Sequence, residues 1–182
     1  MTTMYPDDRM TALIAVLAER DGPAGIREVE AALATCPKDP RLHFLKGSLL
    51  ASAEDFVAAR TAMRRALDLA PDYAVARFQL GLLLLSSGDP VAAQETWGPL
   101  HSLPSANPIR LFVEGLTRLI IDDFDEAVRL LEEGISKNQQ LPEMNRDMQL
   151  VVDTIRSKRG SDGPSSPVDL LLKQSAFKAT RH

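Results

Sequence analysis

The side chains able to do chemistry in this chain are few and scattered. Its histidines are His43, His101 and His182, and no two stand at a spacing that brings a pair of imidazoles to one metal ion. Cys36 is the single cysteine, so no intrachain disulfide can form, and no histidine lies near it in sequence to activate a thiolate. It reads as a small apolar residue near a helix end. The run Asp122, Asp123, Asp125 and Glu126 gathers carboxylates that could attract a cation. It lacks the glycine and the layout of a calcium loop, and reads as an exposed turn followed by favourable charge at a helix start. Arg64 and Arg65 read as a solvated face. There is no glycine-rich phosphate loop and no nucleophile elbow. These residues predict neither catalysis nor a metal or cofactor, and turn attention to binding.

Composition narrows the class further. The chain has 182 residues, 45% hydrophobic and 25% charged, enough for a core with a soluble surface. Aromatics are 5%, and alanine and leucine dominate the apolar set, which favours helices. A net charge of −4 gives no reason to expect nucleic acid. The opening MTTMYPDDRM lacks a basic start followed by an apolar stretch, so no secretory signal is expected. The longest apolar stretches, such as Leu82 to Leu85, fall far short of the ~18 residues that span a bilayer. A cytoplasmic protein without membrane insertion is the expectation.

The elements that must position any site are set by a repeat. Gly47, Gly81 and Gly115 lie 34 residues apart, and so do Ala59, Ala93 and Ala127. Such a period is the signature of stacked helix–turn–helix units. Phasing on it gives units 40–73, 74–107 and 108–141, each a helix, a polar turn and a second helix. The turns are Ala53-Glu54-Asp55, Ser87-Gly88-Asp89 and Asp122-Asp123. A mid-helix glycine costs ~1 kcal/mol relative to alanine, so its recurrence needs a packing reason: close approach of the two helices, with the alanines opposite. An atypical unit precedes on 6–39, with Ala32 in register with Ala66, Leu13 in place of the glycine and Gly25 in place of the alanine. Residues 142–158 read as a capping helix with Met144, Met148, Val151, Val152 and Ile155 on one stripe. Residues 159–166 are a linker rich in Gly, Ser and Pro, and 167–182 an amphipathic C-terminal segment.

This pattern resembles the tetratricopeptide repeat family. Unit 40–73 carries the family's small and large positions as Gly47, Ala59, Met63, Ala66 and Pro71. Unit 74–107 carries Gly81, Ala93 and Trp97, and unit 108–141 carries Gly115, Ala127, Leu131 and Gly134. Leu100 and Ser105 depart from the pattern in the second unit, and Gln139 replaces its proline in the third. The resemblance implies an all-α, right-handed superhelix of antiparallel helix pairs, a TPR-like α-solenoid whose first helices line a concave groove.

The groove-facing positions implied by that resemblance are apolar here. Phe44, Phe78 and Phe112 repeat at the fifth residue of each unit. Leu82, Leu85, Val75, Ile109, Leu116 and Leu119 fill further groove positions. The implied function is a non-catalytic scaffold or adaptor that binds protein, namely an apolar or amphipathic helix laid in the groove. Tight superhelical curvature would instead pack these side chains into the core. The Lys and Asn with which some family members clamp a C-terminal carboxylate are replaced by the phenylalanines and by Ser48, Leu82 and Leu116. Two other roles fit: a secretion-type chaperone holding an apolar client segment, and a structural homodimer joined by the apolar face. From residue 156 on, the chain carries six basic and two acidic residues, against fifteen and twenty-three before it. The C-terminal segment is therefore a candidate to dock on the repeats and compete with a ligand, or to mediate self-association.

Overall fold

Short polar side chains cap the starts of four helices in this chain. The computed structural model describes residues 4–19 and 22–159. Among them are nine α-helices, one short 3-10 helix and no strand. They are α1 (Asp7–Glu19), α2 (Gly22–Thr35), α3 (Pro40–Ser52), α4 (Phe56–Leu69), α5 (Ala74–Ser86), α6 (Pro90–Trp97), the 3-10 helix Gly98–Ser102, α7 (Pro108–Ile120), α8 (Phe124–Lys137) and α9 (Pro142–Arg159). Asp39 and Asn107 precede prolines and accept from the backbone N–H two residues on, capping α3 and α7. Asp55 and Asp89 cap α4 and α6 by accepting from Ala58 and Ala92. The C-terminal segment expected at 167–182 lies outside the described residues, as does the linker apart from Arg159, the last residue of α9.

The turns between α3 and α4, α5 and α6, and α7 and α8 are one device used three times. Glu54, Gly88 and Asp122 have φ of 62°, 84° and 59°. These left-handed residues let the next N–H reach back to the first helix: Asp55 to Leu50, Asp89 to Leu84 and Asp123 to Arg118, at 2.9–3.0 Å. This is the closure that satisfies the orphan carbonyls at a helix end. Only Gly88 adopts it without a side-chain penalty. The acidic run is thereby placed: Asp122 makes the turn, Asp123 starts α8, and Asp125 and Glu126 sit in its first turn.

The described chain forms two compact units that divide within α5, between Leu83 and Leu84. In the first, α3 and α4 meet where Gly47 leaves room. A Cβ there would lie 2.6 Å from Met63 Cγ and 3.2 Å from the Ala59 carbonyl oxygen. A second apolar cluster joins Met10 and Leu13 of α1 to Val29, Ala32, Cys36 and Leu42. In the second unit α7 and α8 repeat the arrangement: a Cβ on Gly115 would lie 2.8 Å from Leu131 Cγ and 3.2 Å from the Ala127 carbonyl oxygen. Ala59, Ala66, Ala93 and Ala127 are fully buried. The stripe Met144, Met148, Val151, Val152 and Ile155 of α9 is buried, and Arg156 and Asn145 tie α9 to Glu132 and Asn138 at the α8 side.

Candidate protein-binding surface

The apolar face expected to be open is closed. Phe78, Phe112, Leu116 and Leu119 are 0% exposed, Leu85 1% and Leu82 5%. This corrects the sequence-based expectation, and the reasons are local. Leu82, Leu83, Leu84 and Leu85 are consecutive and all buried; four successive side chains point around the whole helix, so α5 has no solvent face there. Phe112 turns toward the partner helix of its own hairpin. Its ring fills the space left by Gly134, where a Cβ would stand 2.5 Å from a ring carbon. On α7 the polar residues that touch solvent are Arg110, Glu114, Thr117 and Arg118, one stripe at helical spacing, with Pro108, Ile109 and Ile120 half-buried beside it. That stripe is polar, with Arg110 Nε 2.7 Å from Glu114 Oε1 and Arg110 also donating to the Leu103 carbonyl. Arg118 reaches Asp123 at 3.6 Å.

Three members of the expected set stay accessible: Phe44, Val75 and Ile109 are half-buried. Phe44 packs against Tyr73, ring centroids 5.4 Å apart at 58°, and burial pushes the Tyr73 hydroxyl above its usual pKa. Leu150, outside the set expected from the repeat units, stands 34 residues after Leu116 at the equivalent position on α9. It is 43% exposed, unlike its buried counterparts. The period alone was the signal that could have found it. Other exposed apolar side chains, Met4, Ile14, Val57, Val91 and Ile121, are single residues of the kind any soluble surface carries.

The strongest polar constellation in the first unit lies at the start of α3. Asp39 is fully buried and accepts from the Tyr5 N–H at 2.8 Å, from the Arg41 N–H at 2.9 Å and from the Arg41 guanidinium at 2.8 and 3.1 Å. Burial pushes its carboxyl pKa up, but the Arg41 and backbone hydrogen bonds together outweigh that and hold it below the usual value. Arg41 also donates to the Tyr5 carbonyl and to Asp7 Oδ1, both at 2.6 Å. Tyr5 and Asp39, and Asp7 and Arg41, are each 34 apart, so the repeat period brings them together. In the second unit Asp147 of α9 is half-buried, and desolvation, helped by Glu143 and opposed by Arg146, pushes its carboxyl up to about 6.

No group of three or more metal-ligating side chains occurs among the described residues. No described helix is long and apolar enough to cross a membrane. A tetratricopeptide repeat family model matches residues 11–74 and 53–98, which takes in the atypical first unit. No curated protein matches the chain.

Proposed function

We propose that this chain, which belongs to the tetratricopeptide repeat family, takes an amphipathic helical segment of another protein on the accessible faces of α7 and α9 in its second unit. Repeats of this family form protein–protein interaction modules, and this all-α, solenoid-type chain is one. The carrying observation for the finer reading is what those helices leave accessible. Ile109 and Leu150 offer apolar contact there, and the stripe Arg110, Glu114, Thr117 and Arg118 is polar. A purely apolar ligand would strand those charges, whereas an amphipathic helix supplies a counterpart to both kinds of side chain. The C-terminal segment 167–182 is a candidate competitor for the same faces.

The test uses variants that leave the core alone. Affinity capture is compared for the wild type, Leu150→Asp and Val57→Asp; Val57 is 66% exposed at the start of a second helix. The reading expects partner recovery to fall at least tenfold for Leu150→Asp and to persist for Val57→Asp. Equal recovery by all three rejects the α9 face around Leu150 as part of the site. A concentration-dependent dimer in light scattering that Leu150→Asp abolishes would favour the structural homodimer instead.

A further inference from the structure

The first helix is held by different means from the rest. In the α3–α4 and α7–α8 pairs Gly47 and Gly115 let the helices close up, but α1 presents Leu13 at the equivalent position, and only Met10 and Leu13 of its thirteen residues are buried. Leu17 rests over Gly25, where a Cβ would stand 3.1 Å from its Cδ2. The start of α1 is fixed instead by Arg41, whose guanidinium holds Asp7, Asp39 and the Tyr5 carbonyl at 2.6–2.8 Å. Beneath α1 lies an apolar seat of Val29, Ala32, Cys36 and Leu42, each at most 5% exposed.

We propose that α1 is a strap over a second docking site, and that the seat beneath it takes, in place of α1, a partner helix of the same chemistry. The ligand is read from α1 itself, which is seated there: apolar residues spaced as Met10, Leu13 and Leu17, with a carboxylate one turn earlier, as Asp7, to meet Arg41. Regions held by few buried contacts open locally while the rest stays folded, so the strap exchanges with a competing helix without unfolding the array. This deepens the reading of the chain as a protein-binding module, at a site independent of Leu150.

The test uses the full chain and a synthetic peptide of residues 4–19. Cys36, 5% exposed under the strap, reports opening through its rate of thiol labelling, and Trp97, fully buried in the other unit, reports global integrity through its fluorescence. Leu13→Ala loosens the strap in cis but leaves the seat intact for a peptide that keeps Leu13. Asp7→Ala, at an exposed carboxylate, is the milder variant. The expected result is Cys36 labelling at least tenfold faster in Leu13→Ala and severalfold faster in Asp7→Ala, with unchanged Trp97 emission. The wild-type peptide is expected to bind Leu13→Ala at least tenfold tighter than wild-type protein and to slow labelling again, whereas a peptide carrying Met10→Asp and Leu13→Asp does neither. Unchanged labelling in both variants, labelling that rises only together with a shift in Trp97 emission, or a peptide that fails to protect Cys36 in Leu13→Ala would each overturn the proposal. Loss of partner capture by Leu150→Asp bears on the other site and leaves this result untouched.

Discussion

Gly134→Ala sets two opposing effects against each other, and the structure decides the sign. In an unhindered helix interior the change is worth about 1 kcal/mol in favour of alanine. At Gly134 the new Cβ would stand 2.5 and 2.6 Å from two ring carbons of Phe112 and 3.3 Å from Leu111 Cβ. Relief requires the ring to retreat by about 1 Å, and the ring is completely buried in a close-packed interior. Overpacking of this kind costs about 1–3 kcal/mol, so the variant loses about 1 kcal/mol net. At Gly98 a Cβ meets nothing within 4 Å beyond its chain neighbours, but Pro99 follows and disfavours the αR backbone there (φ −40°, ψ −52°) for alanine, so Gly98→Ala should gain nothing and show no coupling to Phe112. Urea unfolding followed by helix ellipticity measures both. Phe112→Leu should lose stability alone yet relieve the clash in the double variant, giving a coupling of at least about 1 kcal/mol. A stabilising Gly134→Ala, or strictly additive losses, would mean that Phe112 does not pack inside its hairpin, and would return it to the surface.

Other consequences are as direct. Glu54→Gly relieves a left-handed backbone at an exposed turn and should gain about 0.5–1 kcal/mol, while Gly88→Ala loses a similar amount, both read from urea midpoints. Asp147 has a native pKa of about 6 against an ordinary 3.8, so the folded state holds the proton more tightly and acidification from pH 7 toward 4 favours folding through this group. Asp147→Asn should therefore stabilise by about 1–2 kcal/mol at pH 7.5, after allowance for screening of a half-buried carboxylate, and the difference should vanish near pH 4. Asp39→Ala removes the α3 cap, leaves the Tyr5 N–H without its acceptor and leaves Arg41 only Asp7 and the Tyr5 carbonyl, at a cost of about 2–4 kcal/mol. Because the native Asp39 pKa is lowered, its contribution is fully present above the unfolded value near 3.8 and is lost as pH falls through the native one.

What was legible in the sequence follows from what repeats. Glycines and alanines at one spacing announce hairpins, and the room left at Gly47 and Gly115 lies against Ala59 and Ala127, the residues in the second ladder. The prolines and the Asp and Asn residues before the helices mark where they begin, because capping is a local event. The facing of the phenylalanines was not legible. A period gives each side chain the same environment in every unit but does not say whether that environment is solvent or core, and Leu82 to Leu85, buried on all sides, removed the open face that the resemblance implied. Gly134 could be read as a small residue, yet that it would receive the Phe112 ring depends on helix rotation, which spacing leaves free. The Asp39–Arg41 cluster needed coordinates because its members come from separate segments, although Asp7 and Arg41 share the period.

Hydrogen exchange on the full chain with a captured partner locates the contact surface without perturbing a residue. Slowed exchange is expected in α7 around Ile109 and in α9 around Leu150, with the outer residues of α4 and α8 unchanged. Protection confined to α4 and α8, or a partner that leaves both α7 and α9 unprotected, would overturn the proposal.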